Sequence, residues 1–539
     1  MRRERLLCIV FAAGLGAACG SESEEPARKA SDAGSDASDA PDAAAEDAGT
    51  DSLDEEASAP SRTAGSCGAT SWAQRFGGSA PGSISALEAA IAVVTDPQGA
   101  VFTGSYYGDV DFGGGSVVAG KQNRSMFVTA RSLDGSHRFS RGFGDAAGGV
   151  IHAPAARGNA IARLPAGGFV VAGGFAGGVD FGKGTLTSSE NPGDSGVDAG
   201  LGFCFACFPD VVVLALDEQG QTQWAERFGG PDGDAAQALA VNAAGTIFVA
   251  GTFSGLLDFG AGISLTSAGG SDAFVAALDA SGGPKWAKRF GGAKDDAALA
   301  AAVDTAGTLV VGGAFTGGGD FGGTNLTAAG ESDGFWLSLD SAGNVLDRHG
   351  LGASQRGAVA AIAARPGGGW AVAGSVRGQV TFAQKAQSTA YTDAFVLNLD
   401  SSGKEAWARV FGTTENDGAA GVALRADGHV IVTGTLGSGP LDLGGGPLSY
   451  ELSDGAFLLE LDGSGAHVCS RRWSAKPNNE PVGDSGQVTT GASMDGFAVA
   501  AGAKGEIWWG GALAGRADIG KGELVSSGGV DLVLAKLAP

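Results

Sequence analysis

The sequence predicts an all-β fold, a seven-bladed β-propeller of four-stranded antiparallel blades, its ring closed by the N-terminal strand joining the last blade. Three observations predict it: a sevenfold repeat, four short strand segments in each repeat, and chain ends that complete one another. Three anchors carry the repeat. The first reads Trp-Ala-x-Arg-Phe-Gly at Trp72–Gly77, Trp224–Gly229 and Trp286–Gly291, with a looser copy from Trp407 to Gly412 and degenerate ones ending at Gly144, Gly352 and Trp473. The second is Asp-Phe-Gly at Asp111, Asp180, Asp258 and Asp320, weakening at Thr381, Asp442 and Asp518. The third is Asp-Ala-Phe-Val at Asp272 and Asp393, with variants beginning at Ser125, Asp210, Asp333, Gly455 and Asp531. Each anchor occurs seven times, mostly 60–62 residues apart, so the chain is an array of one supersecondary unit.

The unit from Ala236 to Gly291 reads as four strands: Ala236–Asn242 (a), Thr246–Phe253 (b), Asp272–Leu278 (c) and Lys285–Phe290 (d). Each is short and partly alternating, as half-buried strands are. The a–b and c–d links, Asn242–Gly245 and Asp279–Gly282, are tight turns in which glycine supplies a positive φ. The first recognisable strand, Trp72–Phe76, is a d strand with nothing before it, and the last, Asp531–Leu537, is a c strand with nothing after it. Joined, they complete a seventh blade and leave no open edge. A parallel β-helix has shorter rungs and would not leave complementary ends.

The chain has 539 residues, too many for one small core, and 96 glycines without the three-residue period of collagen. A net charge of −24 argues against nucleic acid as a partner. No apolar run after residue 20 is long enough to cross a bilayer as a helix. Residues 1–18 read as a signal peptide: Arg2, Arg3 and Arg5 form a basic start, and Leu6–Leu15 an apolar stretch. The following Gly16-Ala17-Ala18-Cys19 resembles the lipobox of bacterial lipoproteins, although Gly16 stands where leucine is preferred. That resemblance implies lipidation at Cys19. Residues 19–66 then form a tether, with 13 acidic and 3 basic residues from position 20 to 66 and too few apolar ones to bury a core. Residues 67–539 are the propeller.

Phe290-Gly-Gly, the turn opened by Val303-Asp304, Val249-Ala-Gly, Asp258-Phe-Gly and the run from Asp272 to Asp279 together resemble the bacterial seven-bladed β-propeller repeat family, SBBP. The resemblance covers nearly all of residues 72–537. It implies an extracytoplasmic propeller and brings no catalytic residues. The hairpin from Leu278 to Trp286 is also similar to the tryptophan motif of quinoprotein-like propellers, which include PQQ dehydrogenases and an outer-membrane assembly lipoprotein.

Motifs that suggest chemistry are better explained by the repeat. Asp-Phe-Gly recurs without the other parts of a kinase and reads as a turn, its Asp taking backbone N–H groups and its Phe packing between blades. Gly-Asp-Ser-Gly at 193–196 and 483–486 lacks a histidine in a matching context. The pattern at 317–322 has no β-α-β unit around it. No catalytic and no metal-ligating residue is assigned, and no cofactor is expected. The acidic pairs Asp232/Asp234, Asp295/Asp296 and Glu415/Asp417 are where calcium would fit, although turn capping is their commoner use. Cys204 and Cys207 read as a small loop disulfide, whereas Cys67 and Cys469 belong to d regions of different blades and are left unpaired.

Loop length is the remaining functional signal. The d–a and b–c links share one face of a blade, and four are expanded, all in blades 7, 1 and 2. Expanded loops gathered on a rigid scaffold suggest recognition. Within the largest b–c insertion, Phe203, Phe205 and Phe208 are the candidate contacts. The expectation is a monomeric, lipid-anchored outer-membrane or cell-surface module that binds a protein or glycan on this face and touches the membrane only through its lipid. A quinoprotein-like enzyme or outer-membrane assembly-type lipoprotein is the alternative. Because strand d of blade 7 is entered from the c–d side, the tether should reach the ring on the face opposite the expanded loops.

Overall fold

The computed structural model describes residues 67–77, 88–118, 124–144, 155–189, 209–365, 367–382, 385–448, 453–477, 481–482, 487–488 and 492–539. Among these residues every regular element is a strand. Seven antiparallel blades succeed one another around a ring. In blade 3 the strands are Asp234–Val241 (a), Ile247–Phe253 (b), Asp272–Leu278 (c) and Pro284–Gly292 (d), paired in that order. Strands b and c are buried along their whole length, while d alternates and faces solvent on one side.

Local chemistry sets the turns. Between c and d, the Asp279 carboxylate accepts the Ser281 and Gly283 amides at 2.8 and 3.0 Å, and Gly282 takes a φ of +89°. Asp217, Asp340, Asp400 and Asp462 repeat the arrangement. Each turn also receives the previous blade. The indoles of Trp224, Trp286 and Trp407 donate to Ala280, Ser341 and Gly463 carbonyls at 3.1, 3.0 and 2.9 Å. The tryptophan of the first anchor is therefore the clasp between consecutive blades.

The other two anchors work within this frame. Asp258 accepts the Gly260 amide at 2.8 Å, and Phe259 packs against Phe228 and Phe274 between blades 2 and 3. Here the fold differs from a simple loop: Leu256–Gly260 and Ile263–Thr266 form an extra small hairpin between b and c. In blades 5 and 7 this hairpin merges into b and c, giving strands such as Trp370–Phe382 and Lys385–Leu399. The third anchor pairs with the first, since Asp272 at the start of c meets Arg289 of d at 3.2 Å.

Ring closure runs through the chain ends. Thr70–Phe76 pairs antiparallel with Glu523–Leu537, giving blade 7 the order d-c-b-a from N-terminal strand inward. Trp72 packs over Gly135 of the blade 1 turn, as its counterparts do elsewhere. The expectation that Cys67 and Cys469 stay unpaired is corrected: they form a disulfide with Cα atoms 5.1 Å apart and 402 residues between them in sequence. Membership of different blades does not keep them apart, because closure lays the outer strand of blade 7 beside that of blade 6. Both cysteines are buried in the cluster between those blades.

Candidate functional site: the axial channel and the loop face

The inner strands define the channel. In every blade the pairing of a with b slips by one residue at the same place, between Ala90 and Ala92, Gly158 and Ala160, Ala236 and Ala238, Ala298 and Ala300, Val359 and Ala361, Ala419 and Gly421, and Gly496 and Ala498. A bulge re-aims the extra residue. Ile91, Asn159, Gln237, Ala360, Ala420 and Phe497, each the extra residue of its bulge, line an axial cavity of about 180 Å³. The lining is otherwise Ala, Val, Leu, Ile and one Gly. Asn159 interrupts it: its Nδ2 donates to the Ala236 carbonyl at 2.8 Å and its Oδ1 is buried without a partner. The repeated bulge leaves no local signature in sequence.

The d–a and b–c ends of the blades carry buried carboxylates at the junctions. Asp234 accepts the Gly230 amide at 2.9 Å, Asp296 the Gly292 and Thr316 amides at 2.7 and 3.0 Å, and Asp417 the Gly437 amide at 2.8 Å. Desolvation pushes their carboxyls up to about 8, 7 and 7 respectively, despite those hydrogen bonds. Asp495 of blade 7, bonded to Thr435 at 2.9 Å, is likewise pushed up to about 7 by burial. The acidic pairs considered for calcium are thus engaged with the fold: Asp295 accepts the Ser271 amide at 3.0 Å and Glu415 the Ser438 hydroxyl at 2.8 Å. Among the described residues no group of three or more His, Cys, Asp or Glu side chains is placed to hold a metal ion.

The sequence-predicted contacts Phe203, Phe205 and Phe208, the cysteines Cys204 and Cys207, and Cys19 all lie outside the described residues. The strand ends that flank the insertions are described. Asp210 and Arg157 lie at the b–c and d–a ends of blade 2, whereas Cys67 enters strand d of blade 7 from the opposite, c–d end. Sequence reasoning missed Asn159 in the channel and Arg157 on the loop face, both in one short strand, Ala155–Arg163.

No family model matches the chain. The regulatory protein FlaEY of Caulobacter vibrioides is 30% identical over 183 residues, which is 32% of this chain and only 19% of that protein. Among solved structures, the Pan2 WD40 domain of Neurospora crassa matches 61% of this chain and 86% of its own, at 10% identity and a TM-score of 0.30. The cobalt-substituted apocarotenoid oxygenase of Synechocystis matches 75% and 92%, at 12% identity and a TM-score of 0.28. At these scores neither structure carries the reading further.

Proposed function

We propose that the chain is an exported lipoprotein of the SBBP repeat type, held by a lipid on Cys19, whose propeller serves as a binding or scaffold module for a protein or glycan. The observation that carries this reading is the geometry of the ring. Its chain enters at the c–d end, so a tether attached there leaves the d–a and b–c face turned outward. An axial cavity lined chiefly by small apolar side chains supports packing around the axis rather than a reaction at it. The Cys67–Cys469 disulfide supports export, since such bonds persist in oxidising compartments.

The test has two arms. Cys19→Ala should move the protein from the membrane fraction to the soluble one, and retention in the membrane would remove the lipid anchor from the proposal. Replacing Phe203, Phe205 and Phe208 together by Ser should abolish cross-linking to a surface partner at unchanged melting temperature. A lowered melting temperature instead assigns these rings to packing.

A further inference from the structure

The junction between blades 1 and 2 differs from most of its sisters; only junction 6–7, with Met494 and Gly455, also lacks a carboxylate at both the start of strand a and the start of strand c. At the start of strand a, junctions 7–1, 2–3, 3–4 and 5–6 place Glu88, Asp234, Asp296 and Asp417, all buried. Blade 2 has Ala156 there. At the start of strand c, five blades place Asp210, Asp272, Asp333, Asp393 or Asp531, while blade 1 has Ser125, its hydroxyl buried without a partner. The residues beside these two positions are Arg124 and Arg157.

Arg157 is held without compensation. Its Nε is cut off from solvent and has no hydrogen-bond partner, and among the described residues no carboxylate lies within ion-pair distance of it or of Arg124. Burial first, and the Arg124 charge second, lower its guanidinium to about 10. Arg124 donates to the Tyr107 hydroxyl at 3.2 Å and its guanidinium lies 5.5 Å from that ring's centre. Arg157 as a whole is half-buried, but an Nε shut off from solvent without a partner is costly, and a second guanidinium beside it adds repulsion. The cost is removed by an anion. The equivalent of Arg157 in blade 7 is Asp495, bonded to Thr435 and with its carboxyl pushed up to about 7 by burial; an arginine cannot shed its charge in this way.

We propose that Arg157 and Arg124, with the Tyr107 hydroxyl, form an anion site at the junction of blades 1 and 2 that takes a carboxylate group of a ligand. The sister junctions supply the argument for carboxylate: this is the group that the fold itself places there, and a guanidinium matches its two oxygens in a fork. Both arginines lie at the d–a and b–c end of their strands. The site does not depend on export, on lipid or on the phenylalanines of the blade 2 insertion.

Calorimetric titration of the full chain tests this, using sodium succinate, a blocked Ala-Asp-Ala peptide and sodium sulfate, at ionic strength held constant with chloride. One succinate or one peptide should bind per chain and raise the melting temperature. The tighter of the two tells a free acid from an acidic protein segment. Arg157→Met should weaken binding at least tenfold and abolish the melting shift, Arg124→Gln should weaken it too, and Lys183→Gln on the exposed blade 2 hairpin should leave it unchanged. Where Arg157→Met fails to fold, Arg124→Gln decides. Absence of binding, binding of sulfate alone, or equal affinity in wild type and the arginine variants overturns the proposal.

Discussion

Arg75 in the first strand and Asp531 in the last form an ion pair across the closure of the ring. The pair joins two repeat anchors that are 456 residues apart in sequence. The Asp531 side chain is 4% exposed and that of Arg75 28%, so the carboxylate depends on its partner more than the guanidinium does. Arg75→Met is expected to destabilise by about 2–3 kcal/mol, below the range for a fully buried pair because Arg75 is partly wet. Asp531→Asn in the same chain should recover much of the loss. Denaturant unfolding of both variants checks this, and equal deficits in the single and double variants count against the pair. Deleting residues 67–78 goes further, leaving the edge of the last strand open, and should give aggregation or non-cooperative melting.

The disulfide reinforces the same closure. Cys67 and Cys469 are buried between blades 6 and 7, and together they shut a loop of nearly the whole propeller. Replacing both with Ser is expected to cost about 2–5 kcal/mol, read as a lowered denaturant midpoint. Reductant should lower the wild-type midpoint toward that of the variant and leave the variant's own midpoint unmoved. A wild type indifferent to reductant after unfolding and refolding would show that the bond contributes little.

What the sequence disclosed follows from what repeats. Trp286, Asp258 and Asp272 could be placed because each recurs in the same relation to glycines and apolar runs, so turn, hairpin tip and strand start announce themselves locally. Ring closure was legible from Trp72 and Asp531 for the same reason. The disulfide was not, because the proximity of Cys67 and Cys469 is set by how the last blade lies against the sixth, which no local pattern encodes. The bulges at Asn159 and Gln237 were hidden because one extra residue in an alanine-rich strand disturbs no periodicity. Arg157 was hidden because its importance lies in what its surroundings lack, visible only once Ser125 and Ala156 are set beside their counterparts.

Glycine in the c–d turn serves both backbone and clasp, and the two roles are separable. Gly343 has a φ of +82°, and a methyl group added there would sit 3.0 Å from the Trp286 ring. Gly307, in an a–b turn, has a φ of +90° with nothing within 4 Å of such a methyl. Gly307→Ala should cost about 1–2 kcal/mol, the strain of the left-handed region alone. Gly343→Ala should cost more, because it also displaces the indole from the Ser341 carbonyl. Matched melting curves test the order, and equal losses would remove the tryptophan clasp as a source of stability.

Stability should fall toward alkaline pH, and the direction follows from the buried junctions. Asp296 lies beside Asp272 across blades 3 and 4, and burial first, with the Asp272 charge adding to it, raises its carboxyl to about 7. Asp234, Asp417 and Asp495 are raised in the same way, to about 8, 7 and 7. A carboxyl raised by folding binds its proton more tightly in the native chain than in the unfolded one. Its contribution is therefore complete below the ordinary carboxylate range and is lost as pH climbs through 7 to 8. The turn carboxylates Asp279, Asp340, Asp400 and Asp462 act oppositely: hydrogen bonds to their turns lower them, so their contribution fails in acid. The melting temperature should accordingly be highest near pH 4 to 5, fall from there to about pH 8 and then level off, and fall again below 4. Asp296→Asn keeps an acceptor for only one of the Gly292 and Thr316 amides and has no proton to lose, so it should lower the melting temperature at pH 5 but flatten the alkaline limb. An alkaline limb as steep in the variant as in the wild type would show that Asp296 keeps its charge inside the fold.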